Sequence, residues 1–136
     1  MYNNEKKYEL EDRTKKFAVQ LVQFIYNQDR NIINSILFSQ LIKAGTSIGA
    51  NYREANRAES KKDFIHKIGI VQKEASETQY WLEVLLESRI IKSGGIEQLL
   101  NEATELLAIF TAIGKTAKKN SKLQLFSFLF FLNSKF

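Results

Sequence analysis

Seven residues set the terms for what this chain can fold into. Phe64, Ile68, Val71, Ala75, Thr78, Leu82 and Leu85 recur at alternating steps of four and three. That spacing is the seam of a helix packed against other helices. Ser60 with Asp63 three residues on reads as a capping box, which predicts a start near Lys61. The "KSGG" at 92–95 predicts an end near Lys92, since glycine readily takes the left-handed conformation past a helix C-terminus.

The pattern repeats along the rest of the chain. A fourth segment carries Ile96, Leu99, Ala103, Leu106, Phe110, Ile113 and Ala117. A first carries Leu10, Thr14, Phe17, Leu21 and Phe24, and a second Leu37, Leu41, Ala44, Ile48 and Tyr52, running on to Ala55. The chain has no proline, so nothing blocks long backbone ladders. Links of roughly "NQDRN", "NRAES" and "KSGG" are short enough to force neighbouring helices antiparallel. The expected fold is all-α, an up-down-up-down four-helix bundle over residues 1–120, followed by a basic, aromatic tail over 121–136.

Within the second helix, "AGTSIGANYRE" brings Gly45 and Gly49 close together. A P-loop would need Lys and then Ser or Thr after its last glycine, and Ala50 and Asn51 stand there instead. The apolar seam passes straight through the stretch, so these glycines pack a helix against a close neighbour. Asn51 is expected to bond a neighbouring helix or loop backbone, because a semi-buried amide needs partners.

Catalytic and metal chemistry find little support. There is no cysteine, and His66 is the single histidine. Asp63 and His66 imitate one half of the paired Glu-x-x-His arrangement of bundle metal sites, with no second copy. Glu74 and Glu77 alternate with Lys73 as a solvated face does. A non-enzymatic protein with no cofactor and no metal is expected, and the charged start "MYNNEKKYELEDRTKK" suggests a cytoplasmic one.

The net charge of +5 is unevenly placed. The last 31 residues hold five lysines and no acid, which leaves fifteen bases against fifteen acids in residues 1–105. Near the second bend, Lys43, Arg53, Arg57, Lys61 and Lys62 are candidates for touching nucleic-acid phosphates, with the last helix's lysines adding reach. The plainer reading is a solvated face with Asp63–Lys67 pairing. A second apolar stripe on the third helix, Ile70, Tyr80, Trp81 and Val84, is a candidate subunit interface, Trp and Tyr being enriched there; it could equally close a fatter core. From Leu123 to Leu132 the tail is nearly all apolar, with four phenylalanines. Packing against protein, disorder, and a membrane surface with lysines at the headgroups are all open to it.

The run Gln40–Ser88 resembles the family of four-helix proteins related to the 23S rRNA intervening-sequence protein. Ser47, Ile48, Gly49, Ala50 and Asn51 match its Ser-Ile-x-Ala-Asn motif, and Glu54 its following acid. Lys73, Glu74, Glu77, Tyr80, Trp81 and Leu82 match a later Lys-Glu-x-x-Glu-x-x-Tyr-Trp-Leu pattern. The resemblance implies a homopentamer around a central channel. It also relates the chain to accessory variability determinants of diversity-generating retroelements, basic barrels that bind nucleic acid and a reverse transcriptase. RNA, DNA or a reverse-transcriptase-like protein are the partners so implied. The family pattern carries no catalytic residues.

Overall fold

The computed structural model describes residues 4–135, so the first three positions and the tail's Phe136 lie outside the described residues. The described residues form four helices: α1 (Asn4–Tyr26), α2 (Ile32–Asn56), α3 (Lys61–Ser88) and α4 (Ile96–Ser134). No strand occurs among the described residues.

Local chemistry explains the ends. The Asn31 side chain caps α2 by accepting from the Asn34 amide at 2.9 Å. Ser60 caps α3 by accepting from the Asp63 amide at 3.0 Å, as the sequence suggests. The other end of α3 departs from expectation. It stops at Ser88, four residues early, and the residue in left-handed conformation is Arg89 (φ 57°). The second glycine serves the next helix instead: Gly95, with φ 111°, is the N-cap of α4. A side chain would be strained at that φ.

Each helix contributes a buried stripe to one core. Phe17, Leu21, Ile48, Tyr52, Leu82 and Phe110 are among its fully enclosed side chains. Each large apolar group withdrawn from water contributes about 1.5–3 kcal/mol. Tyr52 meets Phe110 edge-on, with ring centroids 5.0 Å apart.

α1 and α2 can approach closely because α2 is thin where they meet. A Cβ on Gly49 would lie 3.1 Å from Thr14 Oγ1 and 3.4 Å from the Thr14 backbone carbon, and one on Gly45 would collide with Leu21. α3 and α4 are held in register by Gln72, which donates to the Phe110 carbonyl at 3.0 Å, and by Gln79, which donates to Thr104 Oγ1 at 3.0 Å. The numbering therefore falls along α4 as it rises along α3. α1 and α4 touch more sparingly. Between them lies a groove of about 560 Å³ whose walls include Arg13, Gln20, Gln23, Gln98 and Glu102.

α4 runs unbroken through residue 121, so the boundary expected between bundle and tail falls inside a helix. From Lys122 to Lys135 every residue is exposed. The phenylalanine segment does not fold back onto its own bundle.

Candidate functional site

The basic candidates gather only in part. Arg53 lies in the last turn of α2, Arg57 is its C-cap, and Lys61 and Lys62 open α3. The four-residue spacing therefore does not continue as a single helical ridge. A turn interrupts it and bunches these four exposed side chains at one end of the molecule. Lys43 lies ten residues before Arg53, about 15 Å along the axis, and points well away around the helix. The structure does not bring it to the cluster.

The cluster's charges are mostly unpaired. Arg57 Nη1 donates to the Arg53 carbonyl at 3.4 Å, a long bond that leaves the guanidinium open to solvent. Arg53, Lys61 and Lys62 have no side-chain hydrogen bond or ion pair among the described residues. Both lysines also stand in the first turn of α3, where the helix dipole already presents positive charge. Beside them Lys7 Nζ donates to the Asn56 carbonyl at 3.0 Å, and Asn56 Nδ2 to Glu11 Oε1 at 3.0 Å. Together Lys7, Asn56, Ser60, Lys61 and Phe64 help to line a shallow groove of about 390 Å³.

Lys67 does not pair with Asp63 as the helical spacing suggests. It crosses from α3 to α2 and donates to Glu54 Oε2 at 2.8 Å. That hydrogen bond is the main reason its ammonium is held above the ordinary lysine range. Glu54, the motif's acid, thus ties two helices together.

The rest of the motif divides between the core and the surface of α2. Ile48 is buried and Ala50 exposed. Ser47 Oγ donates to the Lys43 carbonyl at 2.6 Å and Asn51 Nδ2 to the Ser47 carbonyl at 2.8 Å. Asn51 therefore bonds the preceding turn of its own helix instead of a neighbouring one, because an i to i−4 carbonyl is within reach of its short side chain.

On α3, Tyr80 is 56% exposed and stands edge-on to Trp81, centroids 5.0 Å apart. Trp81 is half-buried against the core, with Nε1 3.4 Å from Glu77 Oε1. Ile70 and Val84 are half-buried too. A second apolar surface escaped the sequence reading: Ile32, Ile33 and Ile36 at the start of α2, with Val22 and Tyr26 of α1, are exposed. Three isoleucines lying off the α2 seam were the available signal.

Arg13 was also missed. It bridges α1 to α4, with Nε 2.6 Å from Glu102 Oε1, and also pairs with Glu105. The Glu102 hydrogen bond raises its already high pKa, against partial burial, which acts the other way. His66 is exposed, and no three His, Cys, Asp or Glu side chains are grouped to hold a metal among the described residues.

A family model described as 23S rRNA-intervening sequence protein matches residues 6–112. The chain belongs to that family. A solved structure agrees with the assignment: a protein of unknown function from the S23 ribosomal protein family of Bacteroides thetaiotaomicron, 38% identical, with a TM-score of 0.70. The match covers 81% of this chain and 98% of that one. No curated protein matches. The intervening-sequence family pattern ends before the lysine-rich stretch of α4, so the exposed extension lies outside it. No described helix is long and apolar enough to cross a membrane.

Proposed function

We infer that this intervening-sequence family protein is a non-enzymatic, oligomeric accessory protein that binds RNA or an RNA–DNA intermediate. The observation that carries the reading is the cluster of exposed cations, without ion-pair partners among the described residues, at the α2–α3 turn, Arg53, Arg57, Lys61 and Lys62. Phosphate contacts need cations free of internal partners, and they gain strength when symmetry repeats them. An up-down-up-down bundle assembling as a homopentamer in the cytoplasm would supply that repetition. Lys43 would then contribute from a neighbouring patch, and a reverse-transcriptase-like protein is a candidate partner.

Fluorescence-anisotropy titration of structured RNA and duplex DNA, at low and physiological salt, tests the reading. Log affinity should fall linearly and steeply with log salt, and Arg53→Glu/Arg57→Glu should abolish binding. Flat salt dependence, or unchanged affinity in the double variant, overturns it. Turnover of any substrate that disappears on His66→Ala would overturn the non-enzymatic part.

A second reading, a protein-interaction or assembly module without a nucleic-acid role, is favoured by exposed Tyr80 beside Trp81 and by the isoleucines of α2. A stoichiometric protein partner that survives nuclease treatment would favour it over the first.

A further inference from the structure

α4 outruns the bundle it belongs to. Gln72 faces Phe110 and Gln79 faces Thr104. Carried on at the same rate, that register sets Lys61, the first residue of α3, level with about residue 121 of α4. The remainder, Lys122 to Ser134, projects past that end of the bundle by about 20 Å at 1.5 Å per residue. It leaves by the end that carries the Arg53–Lys62 cluster.

The end of α4 has two chemically distinct parts, the first mostly beside the bundle and the second beyond it. Lys115, Lys118, Lys119 and Lys122 follow at steps of three, one and three, which places them on one helical face. With Leu123 and Phe126 they line a common shallow groove. No acid follows Glu105 in the chain to neutralise them. Like charges at these spacings repel, and an external anion placed along the stripe would relieve that repulsion. Next, eight of the ten residues from Leu123 to Leu132 are apolar and surround the helix on every side. Phe126 is 73% exposed and Phe130 72%. A helix apolar all round is made for an apolar surrounding, not for water. Lys135 closes the run, its Nζ 4.5 Å over the Phe131 ring.

An anionic lipid surface meets both parts at once. Nucleic acid would occupy the lysines and leave the phenylalanines bare. A second copy aligned in parallel would set lysine stripe against lysine stripe. The apolar run is about 15 Å long, half the thickness of a hydrocarbon core, so it is too short to span one. With lysines at both ends whose long stems can reach back to the headgroups, it fits a segment submerged just beneath them.

We propose that the α4 extension is a peripheral membrane anchor, in which the Lys115–Lys122 stripe binds anionic phospholipid headgroups and the Leu123–Leu132 segment sinks beneath them. The proposal is separable from the nucleic-acid reading: the α4 lysines could serve both, but the phenylalanine segment belongs to this proposal alone and the Arg53–Lys62 cluster to the other alone.

The test is flotation of the full chain with phosphatidylcholine vesicles, with and without phosphatidylglycerol. Flotation is chosen because aggregated protein sinks while lipid-bound protein rises. Binding to the anionic vesicles should exceed binding to neutral ones by about tenfold or more at low salt. Phe126→Ser/Phe130→Ser should lose the vesicles while keeping its circular dichroism and its RNA affinity. Arg53→Glu/Arg57→Glu should lose RNA and keep the vesicles, so the two readings fail separately. Failure of the wild-type chain to float with anionic vesicles overturns the anchor. So does undiminished flotation of the phenylalanine variant. A change in oligomer mass in that variant, without flotation of the wild type, assigns the extension to a second copy.

Discussion

Leu21 of α1 occupies the space that any side chain at Gly45 of α2 would need. The contact is a feature of two residues, since α2 can be approached only because Gly45 lacks a Cβ. Phe17 Cε1 and Thr78 Cγ2, each 3.6 Å from the same point, close the other sides. Leu21 is fully buried, so it has nowhere to retreat.

Gly45→Ala should therefore destabilise the protein by about 1–3 kcal/mol of overpacking, less the roughly 1 kcal/mol that alanine gains in a helix. Gly69→Ala is the control, because a Cβ there meets nothing within 4 Å. It should stabilise by about 0.5–1 kcal/mol. Urea unfolding midpoints of the two variants should move in opposite directions, and a shared direction would refute the packing account.

Ser60→Ala removes the side-chain acceptor that the Asp63 amide uses. A cost of about 1 kcal/mol is expected, and Ser60→Asp should recover most of it. Thermal melts of the pair decide the matter. Equal losses would mean that the side-chain acceptor is not the source of the stability.

Glu54→Gln should bring Lys67 back to the ordinary lysine range, read from the pH titration of its side-chain NMR shifts. The folded pKa of Lys67 is raised, so whatever the pair contributes is complete below the unfolded value and fades as pH climbs through the folded one. Stability near neutral pH should thus show no slope from this pair. A slope there that vanishes in Glu54→Gln would contradict the assignment.

Tyr80→Ala separates interface from core. Tyr80 is exposed, so unfolding of a lone subunit should be nearly unchanged, within about 0.5 kcal/mol. Light scattering should report a smaller assembly if α3 is the contact face. Trp81→Ala is a poorer probe because Trp81 also packs on the core.

The seam of α3 was fully legible in the sequence from Ile68 to Leu85, each step landing on a buried residue. In α2 the reading began one residue off: the buried Asn34, Phe38, Leu41, Gly45, Ile48, Tyr52 and Ala55 alternate by four and three, and Leu37 is not among them. In α4 a strict heptad misled by a small amount, since the stripe drifts from Phe110 to Gly114 and leaves Ile113 half-buried. A straight helix turns every 3.6 residues, so a 3.5-residue pattern slips sideways over several turns. The Arg13–Glu102 bridge spans 89 residues of sequence, and no local pattern announces such a pair. At the candidate site, residue type alone picked out Arg53, Arg57, Lys61 and Lys62, but the turn that bunches them and strands Lys43 depends on where α2 stops. Nor does spacing show that α4 carries straight on into the phenylalanine segment, because apolar runs with no polar face have no period to read.

The sparse meeting of α1 with α4, against the close packing of each helix on the next in order, bears on how the chain reaches its native state. Little of the structure waits for distant segments to find each other, so the entropy lost in closing large loops is small. Each hairpin can settle as soon as its second helix has left the ribosome, and the whole should fold in microseconds to milliseconds, with the first and last helices joining sides only at the end.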